Sequence, residues 1–287
     1  MGTAHTLFSK RENMARMTRK GSKKAGNAGD RYNAPALDKG LDIMELFATE
    51  DEPMALSDVA RKLDRSVGEI FRMVATLERR GYLKLDRQSD LYEMTLKMFR
   101  LSHRHMPVYE LSSASAALMK RLAKRTSQSC HVAVPFNGQT LIIVQENSPT
   151  SRGFRVRLGA AYPLSKTCSG KILLAFAPDD DRIDMLKQEA KLEKRRKVTP
   201  DGLDDALEKV RKHGYVEEKS SFTKGVTDLG CPIFGHNGEL TGALTRPYLG
   251  RSDGEQVDIA AVREMLIDTA TEISERLGYD PALGSRT

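Results

Sequence analysis

The stretch RSVGEIFRMVATLERRGYL, residues 65–83, decides how the first part of the chain is read. Ile70, Val74 and Leu77 recur along one helical stripe, and Gly81 follows Arg79 and Arg80 as a C-terminal stop. The opposite face presents Gly68, Arg72, Ala75, Thr76 and Arg79. Small and basic side chains suit a helix that enters a DNA groove: Gly68 lets backbone approach the duplex, and Arg72 carries a fork that fits a guanine edge. Arg is also what many surface helices carry, so the order of neighbouring elements has to support this reading. Glu69 stands in the first turn, where phosphates would repel it. Ser66 to Glu69 spells S-x-x-E, a capping box, which gives the carboxylate a structural role at a helix N-terminus. The functional alternative has Glu69 accepting from a cytosine amino group.

The flanking sequence supplies a helix-turn-helix. From Pro35, the residues Leu37, Leu41, Met44 and Phe47 predict a first helix that ends before Pro53. An extended MAL segment follows, and Ser57 is expected to cap a second helix through Leu63, with Val59, Ala60 and Leu63 inward. After the third helix, YLKLDRQSDLYEMT alternates about a polar turn, as a hairpin does. Three helices and a hairpin make a winged helix-turn-helix, with Arg65, and Lys84 or Arg87 on the hairpin, as phosphate contacts.

Charge agrees with that reading. Of the formal +7 over 287 residues, the first 34 residues hold eight Lys/Arg against two Asp/Glu. Residues 1–33 lack periodicity and read as a disordered basic tail. Residues 61–104 carry eleven basic and six acidic side chains, while Asp38, Asp42, Glu45, Glu50, Asp51 and Glu52 lie upstream. That balance predicts one basic face suited to nucleic acid. No apolar run approaches the roughly 18 to 20 residues of a membrane helix, and the N-terminus lacks a secretion core, which predicts a cytoplasmic protein. Cys130, Cys168 and Cys231 are far apart, with no metal-ligand spacing, so reduced thiols and no metal or cofactor are expected. His131 adjoins Cys130, but strand neighbours point to opposite faces, so it reads as a packing residue.

The rest of the chain predicts an α+β domain. A connecting helix is expected over residues 108–126, striped by Leu111, Ala114, Leu118 and Leu122. HVAVPF and QTLIIVQE flank Asn137-Gly138 as a hairpin, and FRVRLG reads as a further strand. Helices follow near Cys168 and over about 179–190 and 201–213, the last stopped by Gly214. DLGCPIFGHNGELTGALTR gives a second hairpin, and Val262, Leu266, Ile273 and Leu277 stripe a final helix ended by Gly278. Strands and helices mix without strict alternation, so the sheet is expected to be mainly antiparallel.

On ALDKGLDIMELF, LSDVARKLDRSVGEIFRMVATLERRGYL, YPLSKTCSGKILLAF and KHGYVEEKSSFTKGVTDLGCPIF, the chain resembles the IclR family of bacterial transcriptional regulators over roughly residues 35–278. The resemblance implies a winged helix-turn-helix over residues 34–105, a linker helix over 106–127, and a GAF-like or profilin-like α+β effector-binding domain over 128–287. It further implies a homodimer or tetramer on a pseudo-palindromic operator, and control of a catabolic operon by a small organic or aromatic acid. The family's arginine is kept as Arg72, while its Ser-Thr pair for phosphate is replaced by Gly68 and Glu69. Cys168 and Ser169 occupy the turn whose backbone amides hold the effector carboxylate in relatives, in agreement with anion binding at helix N-termini. Glu218 and Asp228 fall at two further pocket positions, and Thr245 replaces a pocket serine. Pro247 and Ser221 stand where relatives often carry serine and glutamate. These departures imply an effector bulkier and less polar than glyoxylate or pyruvate. Two other classes stay open: an enzyme using Cys168 or Ser169 as nucleophile, which lacks a recognisable base, and a DNA-organising protein that ignores small molecules.

Overall fold

The computed structural model describes residues 34–102, 106–150, 156–250 and 257–280. The predicted basic tail therefore lies outside the described residues. The chain forms two compact units, Met1–Phe99 and Arg100–Thr287.

In the first unit, helices α1 (Pro35–Thr49), α2 (Leu56–Lys62) and α3 (Val67–Arg79) are followed by strands β1 (Leu83–Asp86) and β2 (Leu91–Met94). Ile43, Phe47, Val59, Ile70, Val74, Leu83 and Tyr92 form its core. The two strands pair antiparallel, with Leu83 opposite Met94. Two expectations need correction. Leu37 and Leu41, predicted to face inward, are 61% and 51% exposed. They share a stripe with Met44, whereas Ile43 and Phe47 form another stripe of α1, and the core takes the second. Ser57 does not cap α2: the helix starts two residues earlier than that cap would place it, with Ala55 at the cap position and no side-chain cap. Met54 exchanges both backbone hydrogen bonds with Tyr92, at 3.0 and 2.8 Å, so the chain is extended up to Ala55 and the Ala55 carbonyl opens the helix.

The start of α3 is held by both halves of a capping box. The Ser66 hydroxyl accepts from the Glu69 amide at 3.4 Å, and the Glu69 carboxylate accepts from the Ser66 amide at 3.2 Å. Lys39 of α1 donates to the same carboxylate at 2.8 Å. The hydrogen bond from Lys39, followed by those from Ser66, holds the Glu69 carboxyl down at about 2.

Helix α4 (Lys97–Ser102) spans the boundary between the units. The second unit has α5 (Met106–Thr126), β3 (Cys130–Phe136), β4 (Gln139–Glu146), β5 (Ala161–Pro163), α6 (Cys168–Phe176), α7 (Asp179–Leu192), α8 (Leu203–His213), β6 (Val216–Lys219), β7 (Val226–Phe234), β8 (Leu240–Leu249) and α9 (Ile259–Arg276). Its sheet has the order β5-β4-β3-β8-β7-β6, and every pairing is antiparallel. Strand alternation divides the apolar residues between two cores. Leu118, Met119 and Leu122 of α5 meet Leu266 and Ile273 of α9 over Leu229, Cys231 and Leu244 on one side. Ile172 and Leu173 of α6 meet Leu207 of α8 and Ala243 on the other. The strand expected at FRVRLG is replaced by β5. Phe154 and Arg155 lie outside the described residues, and the segment from Val156 turns at Gly159, whose φ is +75°, before Ala161–Pro163 pairs with β4. No helix among the described residues is long and apolar enough to cross a membrane.

Replacing Ser66 with Ala removes one half of the cap and is expected to cost about 1 kcal/mol. Denaturant unfolding followed by a signal confined to the first unit measures this loss, and an unchanged midpoint would show that the cap contributes nothing.

Candidate functional site

The first turn of α6 is built by close contacts. Thr167 caps the helix, its hydroxyl accepting from the Gly170 amide at 3.0 Å and donating to the Pro163 carbonyl at 3.1 Å. Just before it, the Ser165 amide and hydroxyl both donate to Glu189 of α7 at 2.9 Å. Glu189 is 1% exposed, and Arg195 donates to its second oxygen at 2.7 Å. A Cβ at residue 170 would lie 1.9 Å from the Leu164 carbonyl oxygen, and one at residue 230 would lie 2.6 Å from the Cys168 sulfur. Gly230 lets the Cys168 side chain lie against β7, and Gly170 lets the helix start pack on the Leu164 carbonyl that precedes it.

A cavity of about 170 Å³ opens beside this turn. Thr167, Cys168 and Ser169 contribute one wall, and His131, Asp228 and Thr245 project from the strands. Ile142, Val156, Tyr162 and Phe222 supply apolar surface, with the Tyr162 and Phe222 rings edge to face at 5.8 Å. The volume is close to that of an engineered cavity that binds benzene, roughly 150 Å³. Four expected residues, Cys168, Ser169, Asp228 and Thr245, are therefore together. Glu218 and Pro247 are not on the wall; they are the cross-strand partners of Asp228 on β6 and β8, and Glu218 pairs with Lys171.

His131, read from the sequence as a packing residue, lines this cavity while Cys130 points into the other core. Strand alternation predicts the opposite orientations, but which face holds a cavity depends on where α6 lies. Burial pushes the imidazole down to about 4, so it is neutral at physiological pH. Asp228 is raised, first by burial, against a hydrogen bond from Ser220 that lowers it. The thiol of Cys168 is raised well above its ordinary range by burial, with Asp228 and Glu218 adding to the effect. Burial also raises Cys130 and Cys231 to about 12. Burial thus favours the protonated thiol at each of the three. Thr245 is 3% exposed and its hydroxyl has no hydrogen-bond partner among the described residues.

On α3, Gly68, Arg72, Thr76 and Arg79 are exposed, as is Arg87 beyond β1. Nothing lies within 4 Å of where a Gly68 Cβ would stand, and Thr76 spends its hydroxyl proton on the Arg72 carbonyl. Arg65 is paired with Asp42 at 3.1 Å and Lys84 with Glu93 at 2.5 Å. Val67 and Phe71 on the same helix are 48% and 53% exposed, an apolar surface not singled out in the sequence.

Two outcomes follow from the cavity's polar groups. Thr245→Val removes an unpaired buried hydroxyl and is expected to stabilise the unliganded protein by up to about 1 kcal/mol in urea unfolding. For His131, the folded group titrates near 4 and a free imidazole near 6.5, so the folded state binds fewer protons. Its stabilising contribution is complete above pH 6.5 and is lost as pH falls toward 4, on the order of 3 kcal/mol. The stability of His131→Gln is expected to fall less over that window, by a comparable amount.

Residues 103–275 match the family described as bacterial transcriptional regulator IclR, C-terminal, and residues 36–87 match the IclR helix-turn-helix domain. The HTH-type transcriptional regulator BhcR of Paracoccus denitrificans is 28% identical over 273 residues, 91% of this chain and 95% of its own. The regulator KdgR of Escherichia coli is 26% identical over 234 residues, 80% and 88% of the two chains. The crystal structure of Thermotoga maritima IclR is similar with a TM-score of 0.67 at 25% identity, covering 85% of this chain and 98% of that one. An IclR homologue from Microbacterium hydrocarbonoxydans, complexed with 4-hydroxybenzoate, has a TM-score of 0.70 at 19% identity over 84% and 98%. With its N-terminal helix-turn-helix and its curled α+β sheet both matched, the chain belongs to the IclR family of bacterial transcriptional regulators.

Proposed function

We propose that this regulator is a homo-oligomer whose hold on a pseudo-palindromic operator is set by a small organic or aromatic acid, and that it governs a catabolic operon in the cytoplasm. The observation that carries this reading is the cavity beside the start of α6. It is large enough for one ring, partly apolar, and lined by Thr167, Cys168 and Ser169 of the helix start and by Thr245, whose hydroxyl is unpaired among the described residues. A carboxylate fits a helix N-terminus, and Tyr162, Phe222 and Ile142 suit a ring or short chain. The 4-hydroxybenzoate named for one structural neighbour is of that chemistry. Residues 34–105 then serve DNA binding, 106–127 the link, and 128–287 the effector.

On the DNA side, Arg72 reads a base edge, with Gly68, Thr76 and Arg79 along the groove, and Arg87 meets phosphate. Arg65 and Lys84 reach phosphate by exchanging Asp42 and Glu93 for it. Ser66 and Glu69 fix the helix start and do not read sequence. The exposed stripe of Leu37 and Leu41 on α1 supports association with a second copy, which would present two recognition helices to symmetric half-sites. An effector changes affinity only by binding two arrangements of the oligomer unequally.

Arg72→Ala is expected to weaken operator binding about 10-fold or more at fixed salt and to relax discrimination at one base pair, as fluorescence anisotropy measures. A wild-type chain that binds its own upstream DNA no better than random DNA would overturn the operator reading. A thermal-shift screen of aliphatic and aromatic acids tests the cavity, since a specific ligand raises the melting temperature by mass action.

A further inference from the structure

The described residues hold four buried side-chain polar atoms without a partner, and three belong to the consecutive residues Thr245 and Arg246. Alternation along β8 sends them to opposite sides of the sheet. Thr245 faces the cavity. Arg246 faces the core between the sheet, α5 and α9, beside Cys130 and Tyr248. Its guanidinium is fully buried, and the titratable groups that act on it are the Cys130 thiol and the Tyr248 phenol, with no carboxylate among them. Among the described residues its one hydrogen bond runs from Nη2 to the carbonyl of Thr126, the last residue of α5, at 3.4 Å, and Nε and Nη1 have no partner.

A buried cation without a counter-charge is costly, and an apolar side chain of similar volume would relieve that cost. What Arg246 does meet is the negative end of the α5 dipole. The same strand grips the chain just beyond α5 a second time, where Gln128 exchanges two hydrogen bonds with the Leu249 backbone at 3.2 and 3.1 Å. Strand β8 therefore has a cavity wall on one face and the end of α5 on the other, and one peptide unit separates the two side chains. The contact on the α5 side is long and incompletely satisfied, so a small shift of β8 alters it without breaking the core.

We propose that Arg246 is a positioning residue that couples occupancy of the cavity to the C-terminal turn of α5: a change at Thr245 moves β8, and the guanidinium tightens or releases the Thr126 carbonyl. This inference rests on the reading of the cavity as the effector site. It adds the route by which that site reaches the helix that leads toward the DNA-binding unit.

The test is hydrogen exchange of the last turn of α5, residues 122–126, in the full chain, comparing wild type, Thr245→Val, Arg246→Met and the double variant. Arg246→Met is expected to keep or raise the melting temperature while exchange in this turn rises at least tenfold; Arg246→Lys restores part of the protection. Thr245→Val is expected to change exchange there at least threefold when Arg246 is present and not at all when residue 246 is Met. A merely structural arginine would leave the two effects additive, and additive effects, or no response to Thr245→Val, overturn the coupling. Sodium benzoate serves as a second perturbation. If it raises the melting temperature of the wild type, it is expected to change the α5 turn only when Arg246 is present, and a change that survives in Arg246→Met overturns the proposal. If it leaves the melting temperature unchanged, that result counts against the acid reading of the cavity, and the variants alone decide the coupling.

Discussion

Helix α6 rests on its sheet at a distance that only glycine permits. Gly230 leaves room for the Cys168 sulfur, and Gly170 leaves room for the Leu164 carbonyl. Neither glycine takes a positive φ, so what they supply is space and not a special turn. The close approach brings the first turn of the helix down beside Asp228 and Thr245 and gives the cavity its floor. Any larger residue at 170 would meet backbone, which cannot rotate away as a side chain can. The position of Thr167, Cys168 and Ser169 thus depends on two absent side chains more than on any attraction.

The polar groups around that helix divide into two kinds. Those that fix the approach to α6 are fully engaged: Ser165 donates twice to Glu189, and Arg195 completes the carboxylate. A buried carboxylate is tolerated because each of its oxygens is met. Two of those that face the cavity are different. Thr245 has no partner among the described residues, and His131 is kept neutral by burial, so its ring nitrogens can serve one donor and one acceptor. A rigid, satisfied support beneath an unsatisfied lining is the division expected of a binding site, where stability is given up only at the groups that meet the ligand.

Much of this was legible in the sequence because local chemistry decided it. The S-x-x-E signal at Ser66 gives the start of α3 to the residue, and Asn137-Gly138 gives the first hairpin, with both residues at positive φ. Elsewhere tertiary contacts overrode local pattern. Met54 is drawn into a bridge with Tyr92, which moves the start of α2 away from Ser57. The α1 helix offers two apolar stripes, and only the packing of α3 shows which is buried. Strand β6, with the polar sequence VEEK, has no apolar alternation to announce it; it stands at the sheet edge and is held by its pairing with β7. For the cavity, the residues near the α6 start were accessible through family resemblance. His131, Ile142, Tyr162 and Phe222 were not, because they come from four separate segments that only the sheet order brings together.

The ion pairs on the DNA-facing unit carry a thermodynamic consequence. A cation that leaves an internal carboxylate to meet a phosphate expels an ion from the DNA, but the abandoned carboxylate recruits one from solvent, and the two nearly cancel. Arg65 and Lys84, paired with Asp42 and Glu93, would be of this kind on the proposed reading. Arg72, Arg79 and Arg87 are exposed and have no ion pair among the described residues. On the proposed reading Arg72 meets a base, so Arg79 and Arg87 are the two left for phosphate, and each unit would release about two ions, a slope of roughly −2 in log affinity against log salt. With part of its positive charge engaged within its own fold, the unit on that reading would keep a weaker grip on arbitrary DNA, and proportionally more of its preference for a site would rest on the bases it reads.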